Sequence, residues 1–134
     1  MAKINGKVTK GHRNDAAWDL HAAGNYSISP GFRKVIPVGI DVELEPNEVA
    51  LVCSRSGLAH KLGVFVLNAP GVIDSGYKGE VKVILQNLGT ELFWVDEGDR
   101  IAQLLILELP QVAQLAEVIN NNTARGVAGL GSTG

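Results

Sequence analysis

Hydrophobic and polar residues alternate without a break over Ile40-Asp41-Val42-Glu43-Leu44-Glu45. A period of two sends successive side chains to opposite faces, so this stretch predicts a strand with Ile40, Val42 and Leu44 buried and the three acids in water. Pro46-Asn47 then turns the chain. Strand-length apolar segments recur at Val49 to Cys53, Val64 to Leu67, Glu80 to Asn87, Leu92 to Val95 and Ile101 to Leu109, separated by Gly, Pro, Asn or Asp. Many short strands spaced by turn residues predict an all-β sandwich or jelly roll. One short helical turn is expected over Ser56 to Leu62, closed by Gly63, because glycine just past the last apolar residue suits a C-cap. Val112, Leu115, Ala116 and Ile119 fit helical spacing over too short a run to decide, and we read 112–119 as strand. From Asn120 onward the asparagine run and the glycines offer too little apolar surface for a core. The expected organisation is therefore a β domain over 1–119 and a lid or frayed tail over 120–134.

Composition narrows the classes of partner. The chain has 134 residues, 46% hydrophobic, with 16 glycines and a net charge of −2. With a pI near 5.9 it lacks the basic footprint that holds duplex nucleic acid. No apolar run approaches the roughly twenty residues of a membrane span, so neither nucleic acid nor membrane is an expected partner. Cys53 is the sole cysteine and sits in an apolar run, which reads as a core residue in a reducing compartment. The first residues lack the apolar stretch of a secretory leader, giving a cytoplasmic expectation.

Several segments carry chemical potential. Gly129-Leu130-Gly131-Ser132-Thr133-Gly134 spells a dinucleotide-like glycine pattern, but no strand closely precedes it and no helix can follow at the chain end. What remains is a strip of backbone N–H groups, hydroxyls and Arg125 suited to wrapping phosphates. Arg55-Ser56-Gly57 follows a strand and opens the helical turn, so it reads either as an anion site or as a surface turn. Asn68 to Glu80 sets turn residues around Val72-Ile73, followed by Asp74 and Tyr77. A β-hairpin is implied, with main-chain donors and acceptors for a planar base and an acid able to accept a proton, although Asp74 alone is more often a turn residue. Asp19 lies among apolar residues and needs a partner. Gly98 to Gln103 resembles a turn entering a strand, with Gln103 able to donate its amide. His12, His21 and His60 show no zinc-ligand spacing.

In order, these segments resemble the five motifs of the homotrimeric dUTP diphosphatases, or dUTPases: Ala16 to Leu20, Ser54 to Ala59, Asn68 to Val83, Gly98 to Gln103, and Arg125 to Gly134. The resemblance spans nearly the whole chain. It implies a distorted β jelly roll assembled as a homotrimer, with active sites shared between subunits and a neighbour's tail closing each one. It also implies hydrolysis of dUTP to dUMP and pyrophosphate with Mg²⁺. On that resemblance Asp74 is the general base that activates water against the α-phosphorus, and Tyr77 packs on the deoxyribose. Asn68, Gly71, Val72, Ile73 and Lys82 line the uracil slot. Arg55, Ser56, Gly57 and Gln103 hold phosphates, Asp19 holds Mg²⁺ through water, and Arg125, Leu130, Gly131, Ser132 and Thr133 bind as the tail closes.

Three positions depart from the family pattern. Leu130 stands where a phenylalanine is usual, which implies weaker closure with intact chemistry. Ala17 replaces a glycine and Ser54 a proline, neither expected to touch the chemistry. A dCTP deaminase of the same fold and a nucleotide-gated regulatory module are the alternatives. The Asp74 and Tyr77 pair and the fifth motif argue against the first, and an intact Asp74 against a purely binding role.

Overall fold

Two antiparallel sheets face each other across a core of aliphatic side chains. The coordinates, a computed structural model, describe residues 1–111, 127 and 129–131. The reading of 112–119 as strand lies outside the described residues. One sheet has the order β2 (Trp18–His21), β11 (Arg100–Glu108), β6 (Glu48–Cys53), β8 (Gly71–Ile73), and the other the order β4 (Arg33–Pro37), β9 (Lys82–Asn87), β7 (Val64–Val66). Two small ribbons, β1 (Lys3–Asn5) with β5 (Asp41–Glu43) and β3 (Tyr26–Ile28) with β10 (Phe93–Val95), flank them. Leu20, Ile36, Val83, Ala102 and Leu104 are fully buried between the layers. Each large aliphatic side chain so buried stabilises the fold by about 1.5–3 kcal/mol relative to leaving it exposed.

The alternation over 40–45 appears as expected: Ile40 and Val42 are buried, Leu44 packs partly against the core, and Glu43 and Glu45 face solvent. The following turn closes on itself, with the Glu45 N–H donating to Glu48 Oε1 at 2.8 Å and the Glu48 N–H to the Glu45 carbonyl at 2.9 Å. The helix α1 (Ser56–Leu62) also forms, and Gly63 ends it at φ 68°, ψ 23°, a left-handed conformation that glycine adopts without a Cβ penalty. Two expectations change. Asn68 to Glu80 does not fold as a two-stranded hairpin ladder: β8 pairs with β6, while β9 pairs with β4 and β7. β8 pairs with β6 along one side and leaves its other edge open, and the residues after Asp74 turn and carry the chain to the opposite sheet. Cys53 is half-buried at the margin of the core.

One internal polar group locks the connection into β10. Asn87 is 0% exposed and donates from Nδ2 to the Ile28 and Glu91 carbonyls at 2.8 and 2.9 Å, while its Oδ1 accepts the Gly89 N–H at 2.9 Å. A buried amide is tolerated because its hydrogen bonds are met.

Candidate active site

The first cluster grows from β8 and the loop after it. Val52 opposite Gly71, Leu51 opposite Val72 and Ala50 opposite Ile73 fix the register, so Val72 is 60% exposed while Ile73 packs towards the core. Gly71 is tightly placed, since a Cβ there would lie 3.3 Å from Asn68 Nδ2 and 3.5 Å from Val52 Cβ. After Ile73 the chain turns, with the Tyr77 N–H donating to the Asp74 carbonyl at 3.0 Å. The Tyr77 hydroxyl donates to the Glu80 carbonyl at 2.6 Å. Partial burial, and secondarily the negative charge of Glu80, push the Tyr77 phenol above its ordinary pKa and keep it a neutral donor.

These residues surround a cavity of about 490 Å³. Asn68, Gly71, Val72, Ile73, Asp74, Tyr77 and Lys82 line it, so every predicted residue of the third motif converges there. Leu130 and Gly131 line it too, together with Val127 and Gly129. The family resemblance gives this covering role to a neighbouring subunit's tail; in the single chain, its own residues 129–131 stand there. Arg125, Ser132 and Thr133 lie outside the described residues. Gly79 escaped the sequence reading: a Cβ on it would fall 2.5 Å from Tyr77 Oη and 2.7 Å from Cζ. The signal was present as a glycine two positions after the tyrosine, but only the folded loop shows that the ring occupies the missing side chain's space.

The second cluster lies across β2, β11 and β6. Gln103 is opposite Asp19 on one side and Cys53 on the other, so the first and fourth motifs meet in one row beside the residue that precedes the second. An irregularity between Arg100 and Ala102 breaks the β2 register just before this row. Arg100 Nη1 is 3.9 Å from Asp19 Oδ2, which supplies the partner that an acid only 18% exposed requires. Arg55 Nη1 donates to the Arg100 carbonyl at 3.1 Å, and Gln103 Nε2 donates to the Ser54 carbonyl at 2.9 Å. Ser56 and Gly57 open α1 on the exposed surface. His21 braces the strand from behind: its Nδ1–H donates to the Gly98 carbonyl at 2.9 Å and its Nε2 lies 2.8 Å from Thr9 Oγ1. A separate cavity of about 350 Å³ is lined by Asp15, Asp19, Gln103 and Leu105.

A cavity lined by Asp74 and Tyr77, set apart from a polar row of Arg55, Gln103 and Asp19, lies on an all-β scaffold of paired antiparallel sheets. The dUTPase family model matches residues 6–134, and the chain belongs to the dUTPase family. It is 45% identical to the deoxyuridine 5′-triphosphate nucleotidohydrolase of Clostridium kluyveri over 123 residues, covering 92% of this chain and 86% of the relative. The same enzyme of Corynebacterium glutamicum is 45% identical over 128 residues, covering 93% and 85%. Among solved structures, native EIAV dUTPase superposes with a TM-score of 0.76 at 30% identity, covering 90% of this chain and 99% of that one. The fold is thus the jelly roll of these enzymes. A dUTPase from phage phi11 of S. aureus, 22% identical with a TM-score of 0.76 over 87% of this chain and 97% of that one, is described as coordinating a structural Mg(II) ion.

Proposed function

We propose that this chain is a dUTP diphosphatase that splits dUTP into dUMP and pyrophosphate, limiting the dUTP available to DNA synthesis and supplying dUMP. The observation that carries the reading is the cavity in which Asp74 stands beside Val72, Ile73 and Tyr77. Backbone groups of Val72, Ile73 and Lys82, with the Asn68 amide, face the pyrimidine edge. A mismatched edge leaves buried donors or acceptors unpaired, which discriminates strongly. Tyr77 packs on the deoxyribose and leaves no room for a 2′-hydroxyl.

Asp74 takes a proton from a water molecule whose oxygen attacks the α-phosphorus. The bond from that phosphorus to the α,β-bridging oxygen breaks, and pyrophosphate leaves with the electron pair. Arg55, Ser56, Gly57 and Gln103 hold the phosphates in line. Arg125, Leu130, Gly131, Ser132 and Thr133 close over them and exclude bulk water.

Among the described residues, no group of three or more His, Cys, Asp or Glu side chains is placed to bind a metal directly. Mg²⁺ keeps several waters and is commonly held by substrate phosphates plus one or two carboxylates, and the half-buried Asp19 fits as a carboxylate acting through those waters. When bound, the ion neutralises charge on the triphosphate.

Gln103 and Asp19 line a cavity apart from the one that holds Asp74 and Tyr77. That separation supports a homotrimer in which the two halves come from different subunits. Among the described residues no helix is long and apolar enough to cross a membrane, and we place the enzyme in the cytoplasm. Pyrophosphate release with Mg²⁺ should be fast for dUTP and slow for UTP, dTTP and dCTP; comparable rates on all four, or ammonia release from dCTP, would overturn the reading.

A further inference from the structure

Ser54 stands where the family resemblance expects proline, at the junction between β6 and α1, and two of its oxygens are engaged. Its carbonyl accepts the Gln103 amide at 2.9 Å, and its Oγ accepts the Val66 N–H at 2.9 Å. Val66 is 1% exposed and lies on β7, at the edge of its sheet, so this donor has no further strand to pair with on its outer side. A buried N–H left unpaired is costly, and Ser54 supplies its acceptor. The carbonyl of the same Val66 accepts the Ala69 N–H at 3.1 Å, in the turn that leads from Asn68 into β8. The start of α1 has no side-chain capping bond at Arg55. The direction in which Ser56 and Gly57 present their N–H groups therefore depends on how the preceding residue is tied.

We propose that Ser54 is a positioning residue of the phosphate loop: through Val66 and Gln103 it fixes Arg55, Ser56 and Gly57 in the orientation that grips the substrate's phosphates. The inference rests on the phosphate-binding reading of those three residues. An aliphatic side chain at 54 removes the acceptor and lets the loop tilt, while threonine keeps the oxygen.

The test is product inhibition of Ser54→Ala and Ser54→Thr by the two halves of the substrate. In Ser54→Ala, inhibition by pyrophosphate should weaken by about tenfold, the scale of one neutral hydrogen bond inside the protein, while inhibition by dUMP stays within about twofold. Ser54→Thr should restore pyrophosphate inhibition. A merely structural role would lower Tm and leave the ratio of the two inhibition constants unchanged, and that result would overturn the proposal. Arg55→Ala separates the failures. If calorimetric titration shows that Arg55→Ala binds pyrophosphate as tightly as wild type, the phosphate-loop reading itself fails; if that binding weakens while Ser54→Ala keeps wild-type pyrophosphate inhibition, only the role of Ser54 is lost. Should Ser54→Ala not fold, hydrogen exchange in the wild-type protein decides: the Val66 amide should become more protected when pyrophosphate binds, and unchanged exchange would refute the coupling.

Discussion

Asp74 and Gly79 act at the residue scale by different physics. Asp74 is asked to supply a base, and a positioned carboxylate contributes about 10² to 10⁴ in rate. Asp74→Asn should therefore lose most turnover while retaining affinity for a non-hydrolysable dUTP analogue, as measured by calorimetry beside single-turnover kinetics. Gly79 contributes an absence: its missing side chain is the seat of the Tyr77 ring, with a Cβ otherwise 2.5 Å from the hydroxyl oxygen. Gly79→Ala must displace the ring. The ratio of kcat/KM for dUTP over UTP should fall by about tenfold, the scale of one methyl group in a fitted pocket. The raised pKa of Tyr77 has a signed consequence as well. Its folded-state value lies above the unfolded value of about 10, so its contribution to stability is complete below that pH and disappears as pH climbs through the folded value. Wild type should lose Tm over that alkaline window more steeply than Tyr77→Phe, and parallel Tm curves would show that the phenol is not involved.

Elements differed in how readily their sequences disclosed them. The strands β5, β6 and β11 were legible because one face is buried and the period of two, or an apolar run, marks them. The end of α1 was legible because Gly63 takes the left-handed conformation. The short strands β1, β3 and β4 were not. In β4, Arg33, Lys34 and Val35 are all exposed, so no alternation advertises a strand whose definition comes from pairing with β9. The pairing of β8 was hidden for a related reason: sequence proximity suggested a local hairpin, whereas β6 offered the free edge. Motif residues were legible as chemical types in order, but the separation of Asp74 and Tyr77 from Asp19 and Gln103 depended on the long-range register of β2, β11 and β6. The tail belongs to this scale too, with Gly129, Leu130 and Gly131 lining the cavity that holds Asp74 and Tyr77. Removing 125–134 should raise KM and cut kcat by about tenfold or more, through lost closure, without changing the sedimentation of the assembly. A truncated chain that sediments as a monomer would show that the segment is scaffold.

At the scale of the whole molecule, the distribution of the motifs makes a prediction that no single chain can satisfy. If a working site takes Asp74 from one subunit and Arg55 from another, chains carrying Asp74→Asn and chains carrying Arg55→Ala are each inactive alone. Mixing and reassembling them creates some sites in which both halves are intact, so activity should reappear. The recovered rate, followed by pyrophosphate release across mixing ratios, should peak near equal proportions. No recovery after verified exchange of subunits would place both halves of each site within one chain.

The strand β6 runs beneath both ligand regions. Val52 reaches the cavity of Asp74, Cys53 and Ser54 join the polar row one and two residues further on, and Ala50, 0% exposed, is opposite Ile106 on one side and Ile73 on the other. A larger side chain at Ala50 would bow this common beam and disturb the grip on both ends of the nucleotide together. A deep packing defect would then masquerade as a double binding defect, although the altered atom touches neither sugar nor phosphate.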